Sequence, residues 1–228
     1  MRQKLLAVLG IVAGLFLIRN LYIILLQLPD EAAQGPIYRI FFYHLAGWFT
    51  SFLAYGIAAA ASVYYLAKRD LRADAVAVSA IEIGLAFTAV GMVTGTIWAR
   101  IIWGIWWTWD PRLTWALICM LMYAGYLMLR GAITEPSERA RLSAVVALFS
   151  FVTVVITYKA IDWWRTQHPG AVLSFRTGGG RIDPAMESMI FQNFLALLML
   201  ATVAFFVRMR QEQMQRAIDA LRRRAHSY

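Results

Sequence analysis

The residues with the clearest potential for chemistry in this chain are two histidines. His44 lies about one turn inside a long apolar run, and His168 lies in a polar segment that follows another such run. Neutral imidazole is a common axial ligand of haem iron, so two histidines at one membrane face could hold a haem between them. The third histidine, His226, lies in a basic C-terminal segment and is predicted to be a solvated surface residue.

The second feature is a cluster of tryptophans. Six of the nine tryptophans lie between Trp98 and Trp115. Stacked indole rings would give a flat apolar surface for a large planar ligand at low conformational cost. The alternative is an aromatic belt at the membrane interface, which accounts for Trp48 and for Trp98 or Trp115 but not for several tryptophans in one loop. The candidate binding residues are therefore Trp103, Trp106, Trp107 and Trp109.

Three charged residues accompany this cluster. Arg100 and Arg112 flank it and could pair with the carboxylates of a ligand, such as porphyrin propionates; contact with lipid headgroups is the alternative. Asp110 belongs to the candidate site by position, and an acid directly before Pro111 is also typical of a helix N-cap.

Two further charges, Arg19 and Glu82, lie inside apolar runs. Charge is costly there unless it faces the bundle or a water-filled gap. Arg19 is expected to face such an environment, with contact to an acidic group of a ligand as the alternative, and Glu82 is assigned no role.

Several function classes are excluded by the same survey. The sequence has no zinc-like spacing of Cys, His or acids, no phosphate-binding loop and no catalytic triad, so we expect a protein that is not an enzyme and does not hydrolyse ATP. The single cysteine, Cys119, excludes an internal disulfide and a CxxC redox motif. The net charge of +9 is concentrated in short segments and the tail, which indicates membrane topology rather than nucleic-acid binding.

The elements that must position these residues are membrane helices. The chain is 61% hydrophobic and only 15% charged, and its continuous apolar runs of about 20 residues suit α-helical spans and not a β-barrel. We predict an all-α integral membrane protein of one polytopic domain. The first run is predicted to be a retained helix rather than a signal peptide, since Arg19 and Asn20 follow it without a cleavage site. The six spans are placed at about 5–28, 40–67, 75–99, 113–129, 142–161 and 188–207.

The distribution of lysine and arginine predicts the orientation. Fourteen of the 22 basic residues lie on the side of the two termini and seven on the other, with Arg19 inside the first span. The positive-inside rule therefore places both termini in the cytoplasm, with a basic tail at 208–228. The segments 29–39, 100–112 and 162–187 then lie on the outer face, which brings the tryptophans and His168 together there.

Local signals support these boundaries. Asp110-Pro111 and Asp183-Pro184 each predict an N-cap followed by proline at the first helical position. The pairs Gly10/Gly14 and Gly91/Gly95 have the spacing that permits close helix contact in membranes, and the second pair would pack the third span tightly below the tryptophans.

The segment Trp103-Gly104-Ile105-Trp106-Trp107-Thr108-Trp109-Asp110 resembles the WWD signature of the membrane proteins that handle haem in cytochrome c maturation. Length and number of spans make the chain similar to the CcmC branch, the haem exporter protein C family, rather than to the longer CcmF and CcsA types. Further similarity covers Gln34-Gly35, Tyr38-Arg39-Ile40 with His44, Asp162-Trp163-Trp164 with His168, and Ile182 to Met186.

The resemblance implies a function and partners. Members bind haem b at the periplasmic face of the bacterial inner membrane, with axial histidines that correspond to His44 and His168. They deliver it to the haem chaperone CcmE, together with the ABC subunits CcmA and CcmB and the small protein CcmD. Two alternatives remain open: an integral b-type cytochrome that transfers electrons, and a plain permease subunit whose aromatic residues line a substrate path.

Overall fold

Six long helices form the protein in the computed structural model, which describes residues 2–170 and 183–225 without the side chains of Arg2, Arg223 and Arg224. The helices are α1 (Arg2–Leu26), α2 (Arg39–Lys68), α3 (Leu71–Ile102), α4 (Pro111–Ala132), α5 (Pro136–Trp163) and α6 (Pro184–Ala225), with a short 3-10 helix (Pro36–Tyr38) before α2. Each long helix has the length and apolar composition needed to cross a membrane. The predicted all-α membrane protein with six spans is therefore confirmed. Within the outer segment predicted at 162–187, residues 171–182 lie outside the described residues, as does His226.

The helix starts follow from local capping. Asp110 accepts a hydrogen bond from the backbone N–H of Arg112 at 2.9 Å, and Asp183 accepts one from Ala185 at 2.8 Å. In both cases proline occupies the first helical position, where its missing N–H costs nothing. The two predicted caps are confirmed, and Glu135 before Pro136 starts α5 in the same way.

Helices α2 to α5 extend past both ends of the predicted spans, by one residue at each end of α2 and by six residues at the start of α5. The ends of α1 and α6 differ for reasons that the local sequence explains. Helix α1 ends at Leu26, two residues early, because Leu28 precedes Pro29 and a residue before proline avoids helical backbone angles. The segment predicted as a basic tail continues α6 to Ala225. Pairs one turn apart support this extension: Arg216 bonds to Glu212 and Gln215 to Asp219.

Helices α2 and α3 pack along each other at the centre, α4 pairs with α5, and α1 pairs with α6. In the buried middle of the bundle the rings of Tyr55 and Tyr123 stack with centroids 3.7 Å apart. Close approach depends on glycine at Gly91 and Gly95, where an added methyl group would lie 2.8 Å from Trp48 and 3.0 Å from His44. The predicted tight packing of the third span is therefore confirmed. At Gly10 an added methyl group would make only an ordinary contact with Val203, and at Gly14 it would meet no atom within 4 Å.

The tryptophan segment and a cluster of ion pairs lie at opposite ends of the helix bundle. Helices α2, α4 and α6 begin, and α1, α3 and α5 end, at what we call the tryptophan end, which holds Trp98 to Trp115. At the opposite end Asp74 on α3 contacts Arg130 on α4 and Arg216 on α6.

The two intramembrane charges have structural partners. Glu82 forms an ion pair with Arg208 on α6. Arg19 donates to Gln192 at 2.7 Å and to Asn20 at 3.0 Å, and it does not belong to the cavity described below. Both charges therefore help to hold α6 against the rest of the bundle.

Candidate functional site

A mostly apolar cavity lies at the tryptophan end, between α2, α3, α4 and α5. His44 lines it from α2, Arg112 from the first turn of α4, and His168 from the loop that follows α5. The remaining lining consists largely of apolar side chains, including Trp48, Phe52, Met92, Trp103 and Trp107. The structure therefore brings both predicted histidines, one predicted arginine and two predicted tryptophans to one cavity.

His44 is held against α3. Its Nδ1 lies 3.0 Å from the hydroxyl oxygen of Thr94. The ring fits there because Gly95 has no side chain: a methyl group at that position would lie 3.0 Å from His44 Cε1, closer than an ordinary contact. The orientation of His44 thus depends on two neighbouring residues of α3.

His168 is oriented by its own loop. Its Nδ1 lies 2.9 Å from the carbonyl oxygen of Pro169, and its backbone N–H donates to Thr166 Oγ1 at 3.0 Å. Burial, and after it the nearby Arg112 guanidinium, lower the pKa of His168 to about 4. The imidazole is therefore neutral near pH 7, which is the form that can bind a metal.

Asp110 connects the tryptophan segment to the His168 loop. Beyond capping α4, its carboxylate accepts from Thr166 Oγ1 at 2.7 Å and from the backbone N–H of Gln167 at 2.8 Å. The residue is buried and does not line the cavity. Its contribution to the site is to hold the loop that carries His168, and the capping pattern alone gave no indication of these two bonds.

The two arginines differ in position. Arg112 lines the cavity and lies 3.3 Å from the carbonyl oxygen of Thr157 and 3.4 Å from that of Tyr158, which hold its side chain against the end of α5. Arg100 is exposed, donates to the carbonyl oxygen of Gly104 and does not line the cavity. The bond from Arg100 closes the turn of the tryptophan segment. The turn favours glycine because Gly104 has a positive φ of 75°.

The tryptophans divide into two groups. Trp103 and Trp107 line the cavity, while Trp106 and Trp109 are 60% and 76% exposed and do not. The expected flat stack is not what these rings form: Trp107 meets Trp109 at 86°. Edge-to-face contact is one of the arrangements that aromatic quadrupoles favour over a face-to-face stack.

Sequence reasoning missed Trp48 and Thr94. Trp48 had been interpreted as part of the interfacial belt, yet it is buried, lines the cavity and packs on Gly91. A signal was present: His44 and Trp48 are four residues apart on one helix, as are Gly91 and Gly95 on the next. Thr94 gave no such signal, because its contact with His44 exists only once the two helices are packed.

The family of the chain follows from comparison with known proteins. A family model described as "Heme exporter protein C" matches residues 1–224. The chain belongs to this family. Proteins named "Heme exporter protein C" are similar to it at 35% identity in Bradyrhizobium diazoefficiens, over 85% of this chain and 73% of the relative. In Escherichia coli K12 the identity is 30%, over 80% of this chain and 73% of the relative.

Membership in the heme exporter protein C family supports a role in haem export for cytochrome c maturation. The family name describes transport or handling of haem rather than an enzymatic reaction, and it implies an exporter with other subunits. Together with the six membrane-spanning helices, it makes this chain a multi-pass membrane protein.

Proposed function

We propose that this protein binds haem b in the cavity at the tryptophan end, with His44 and His168 as the axial ligands of the iron. One observation carries the proposal: both imidazoles line one cavity while each has Nδ1 beside a protein oxygen. Each ring then has Nε2 for the metal, and two imidazoles fill both axial positions of haem iron.

The chemistry of the lining fits a porphyrin. Haem is a flat, largely apolar molecule with two carboxylates, and the lining combines aromatic side chains with Arg112, the one lysine or arginine that the described residues contribute to it. Arg112 is the residue we assign to the propionates, because a guanidinium pairs well with carboxylates. Among the described residues no group of three or more histidines, cysteines or acids could hold a bare metal ion, so the cargo we propose is the complete haem.

The protein acts by positioning, and we assign it no covalent chemistry. Filled axial positions suit the holding of haem more than reaction with oxygen. We propose that the chain presents haem to the chaperone CcmE and works with CcmA, CcmB and CcmD. Support for these partners comes from the tryptophan signature and from family membership.

We further propose that the protein lies in the bacterial inner membrane with the cavity facing the periplasm and both termini in the cytoplasm. The supporting observation is the excess of lysine and arginine in the segments on the side of the termini. The cavity lies at the end of the bundle away from those segments.

Two other functions receive less support. A b-type cytochrome that carries electrons across the membrane needs ligands at two depths, whereas His44 and His168 line one cavity and His226 lies outside the described residues. A permease subunit would not require two histidines beside one apolar cavity.

The test is an absorption spectrum of the detergent-purified protein, oxidised and reduced, before and after titration with ferric haem. We expect a six-coordinate bis-histidine spectrum that is lost or changed in His44→Ala and in His168→Ala. His226→Ala is the matched control and should behave as wild type. Wild-type haem content and spectrum in both single variants would overturn the assignment. Co-expression with CcmE then tests delivery, with haem transfer to the chaperone as the readout.

A further inference from the structure

Thr94 lies on α3 directly before Gly95, where this helix approaches His44 most closely. Its hydroxyl oxygen has three neighbours: His44 Nδ1 at 3.0 Å, the carbonyl oxygen of Val90 at 2.8 Å and that of Gly91 at 3.1 Å. Within the described part of the chain no other side chain bonds to His44, whose ring also interacts with the backbone carbonyl of Gly91.

The three contacts determine which group donates. The carbonyl oxygens of Val90 and Gly91 can only accept, so the single hydroxyl proton of Thr94 is directed to them. The hydroxyl oxygen then offers a lone pair to His44 Nδ1, and all the bonds are satisfied only when Nδ1 carries a proton. A neutral imidazole has one ring proton, so Nε2 of His44 is left with a lone pair.

The hydroxyl oxygen of Thr94 also has a fixed position. Threonine is branched at Cβ, and its bond to the carbonyl oxygen four residues earlier fixes its χ1 angle. Gly95 leaves room for the imidazole on the same side of α3. The ring of His44 is therefore fixed both in its tautomer and in its rotation.

We propose that Thr94 is a positioning residue for haem ligation, which holds His44 in the tautomer and orientation that present Nε2 to the cavity. The inference rests on the proposed function, since His44 must be a ligand for its tautomer to matter. Outer hydrogen bonds of this kind orient metal-binding histidines and increase their basicity.

The second histidine provides an internal comparison. At His168 the corresponding acceptor is the backbone carbonyl of Pro169, which no side-chain substitution removes. At His44 one acceptor is the side chain of Thr94, beside the backbone carbonyl of Gly91. A variant of Thr94 therefore changes one histidine and leaves the other as it was.

The test compares three variants of the full chain in detergent. Thr94→Val keeps the shape and removes the hydroxyl, and Thr94→Ser keeps the hydroxyl. Thr202→Val is the matched control, because the hydroxyl of Thr202 bonds to the carbonyl oxygen of Leu198 four residues earlier, as Thr94 does to Val90, and Thr202 does not line the cavity. The readouts are affinity for ferric haem, the haem midpoint potential, and the tautomer of each histidine from nitrogen NMR of the haem-free protein.

We expect Thr94→Val to weaken haem binding by roughly 10- to 100-fold. Its midpoint potential should rise, because a less basic imidazole stabilises ferric iron less. Thr94→Ser and Thr202→Val should remain close to wild type. The wild-type NMR spectrum should show His44 protonated at Nδ1, which requires neither haem nor a folded variant.

Two results would overturn the inference. The first is a wild-type His44 protonated at Nε2 in the haem-free protein. The second is Thr94→Val with the affinity and potential of wild type, or with the same loss as Thr202→Val. These outcomes differ from failure of the proposed function, in which His44→Ala itself binds haem normally.

Discussion

The two ends of the bundle use charged and polar residues in different ways. At the opposite end, the buried side chain of Asp74 pairs with Arg130 at 2.6 Å and with Arg216 at 2.7 Å, and Glu212 joins both arginines. At the tryptophan end, Arg112 and the two histidines bond to uncharged oxygens instead. The first arrangement neutralises its charges internally, while the second orients side chains and leaves their ligand-binding atoms available.

The comparison shows why one end serves structure and the other serves binding. A buried carboxylate with two guanidiniums has little capacity left for a ligand, and it joins α3, α4 and α6. A guanidinium held by carbonyl oxygens keeps its full charge for an incoming carboxylate. Similar residue types therefore have different roles because their partners differ.

The largest expected effect concerns the opposite end. Asp74→Asn removes one of the two carboxylates that Arg130 and Arg216 contact. Breaking a buried ion pair costs about 3–5 kcal/mol of unfolding free energy, and the remaining contacts with Glu212 should keep the loss at the lower end of this range. The measurement is denaturation of the detergent-solubilised protein. Haem affinity of the molecules that remain folded should be unchanged, and a parallel loss of affinity would show that the two ends are coupled.

Asp162→Asn is the matched control for that variant. Asp162 pairs with Lys159 at 2.9 Å, but both side chains are about half exposed. Exposed pairs contribute roughly 0–1 kcal/mol, so this substitution should barely change stability. Equal destabilisation by the two substitutions would contradict the contrast between buried and exposed pairs.

The next prediction concerns the positive charge of Arg112 at the tryptophan end. Arg112→Gln removes the cation that we assign to the propionates, and hydrogen bonds to charged groups are worth about 1.5–3 kcal/mol. Haem affinity should therefore fall by about tenfold or more, while stability changes little. Arg100→Gln, outside the cavity, should leave affinity near wild type. Equal losses in both variants would favour a general effect of positive charge at this end.

The sequence predicted the parts of this molecule that depend on local signals. Helix starts at Asp110 and Asp183 and the six apolar spans follow from nearby residues, and topology placed His44 and His168 on the same face. The bonds from Asp110 to Thr166 and Gln167 join residues more than fifty positions apart, so no local pattern indicates them. The same holds for the long-range contact between α6 and α3, in which Arg216 donates to Asp74.

A smaller effect tests the close packing that orients His44. Gly95→Ala places a methyl group 3.0 Å from His44 Cε1, and overpacking of this kind costs about 1–3 kcal/mol. We expect a lower haem affinity with the fold retained, measured by titration with ferric haem. Gly125→Ala is the matched control, because its added methyl group meets no atom within 4 Å. A normal affinity in Gly95→Ala would show that the His44 ring can shift without loss of binding.

The smallest expected effect distinguishes the roles of the neighbouring Trp106 and Trp107 in haem binding. Trp107→Phe shortens a side chain that lines the cavity and should lower haem affinity several-fold, because it removes contact area with the ligand. Trp106→Phe alters a side chain that is 60% exposed and does not line the cavity, so affinity should change by no more than about 0.5 kcal/mol. Titration of both variants with ferric haem under the same conditions measures the two affinities. Equal losses would mean that haem also contacts the exposed outer surface of the tryptophan segment, so that the binding site extends beyond the cavity.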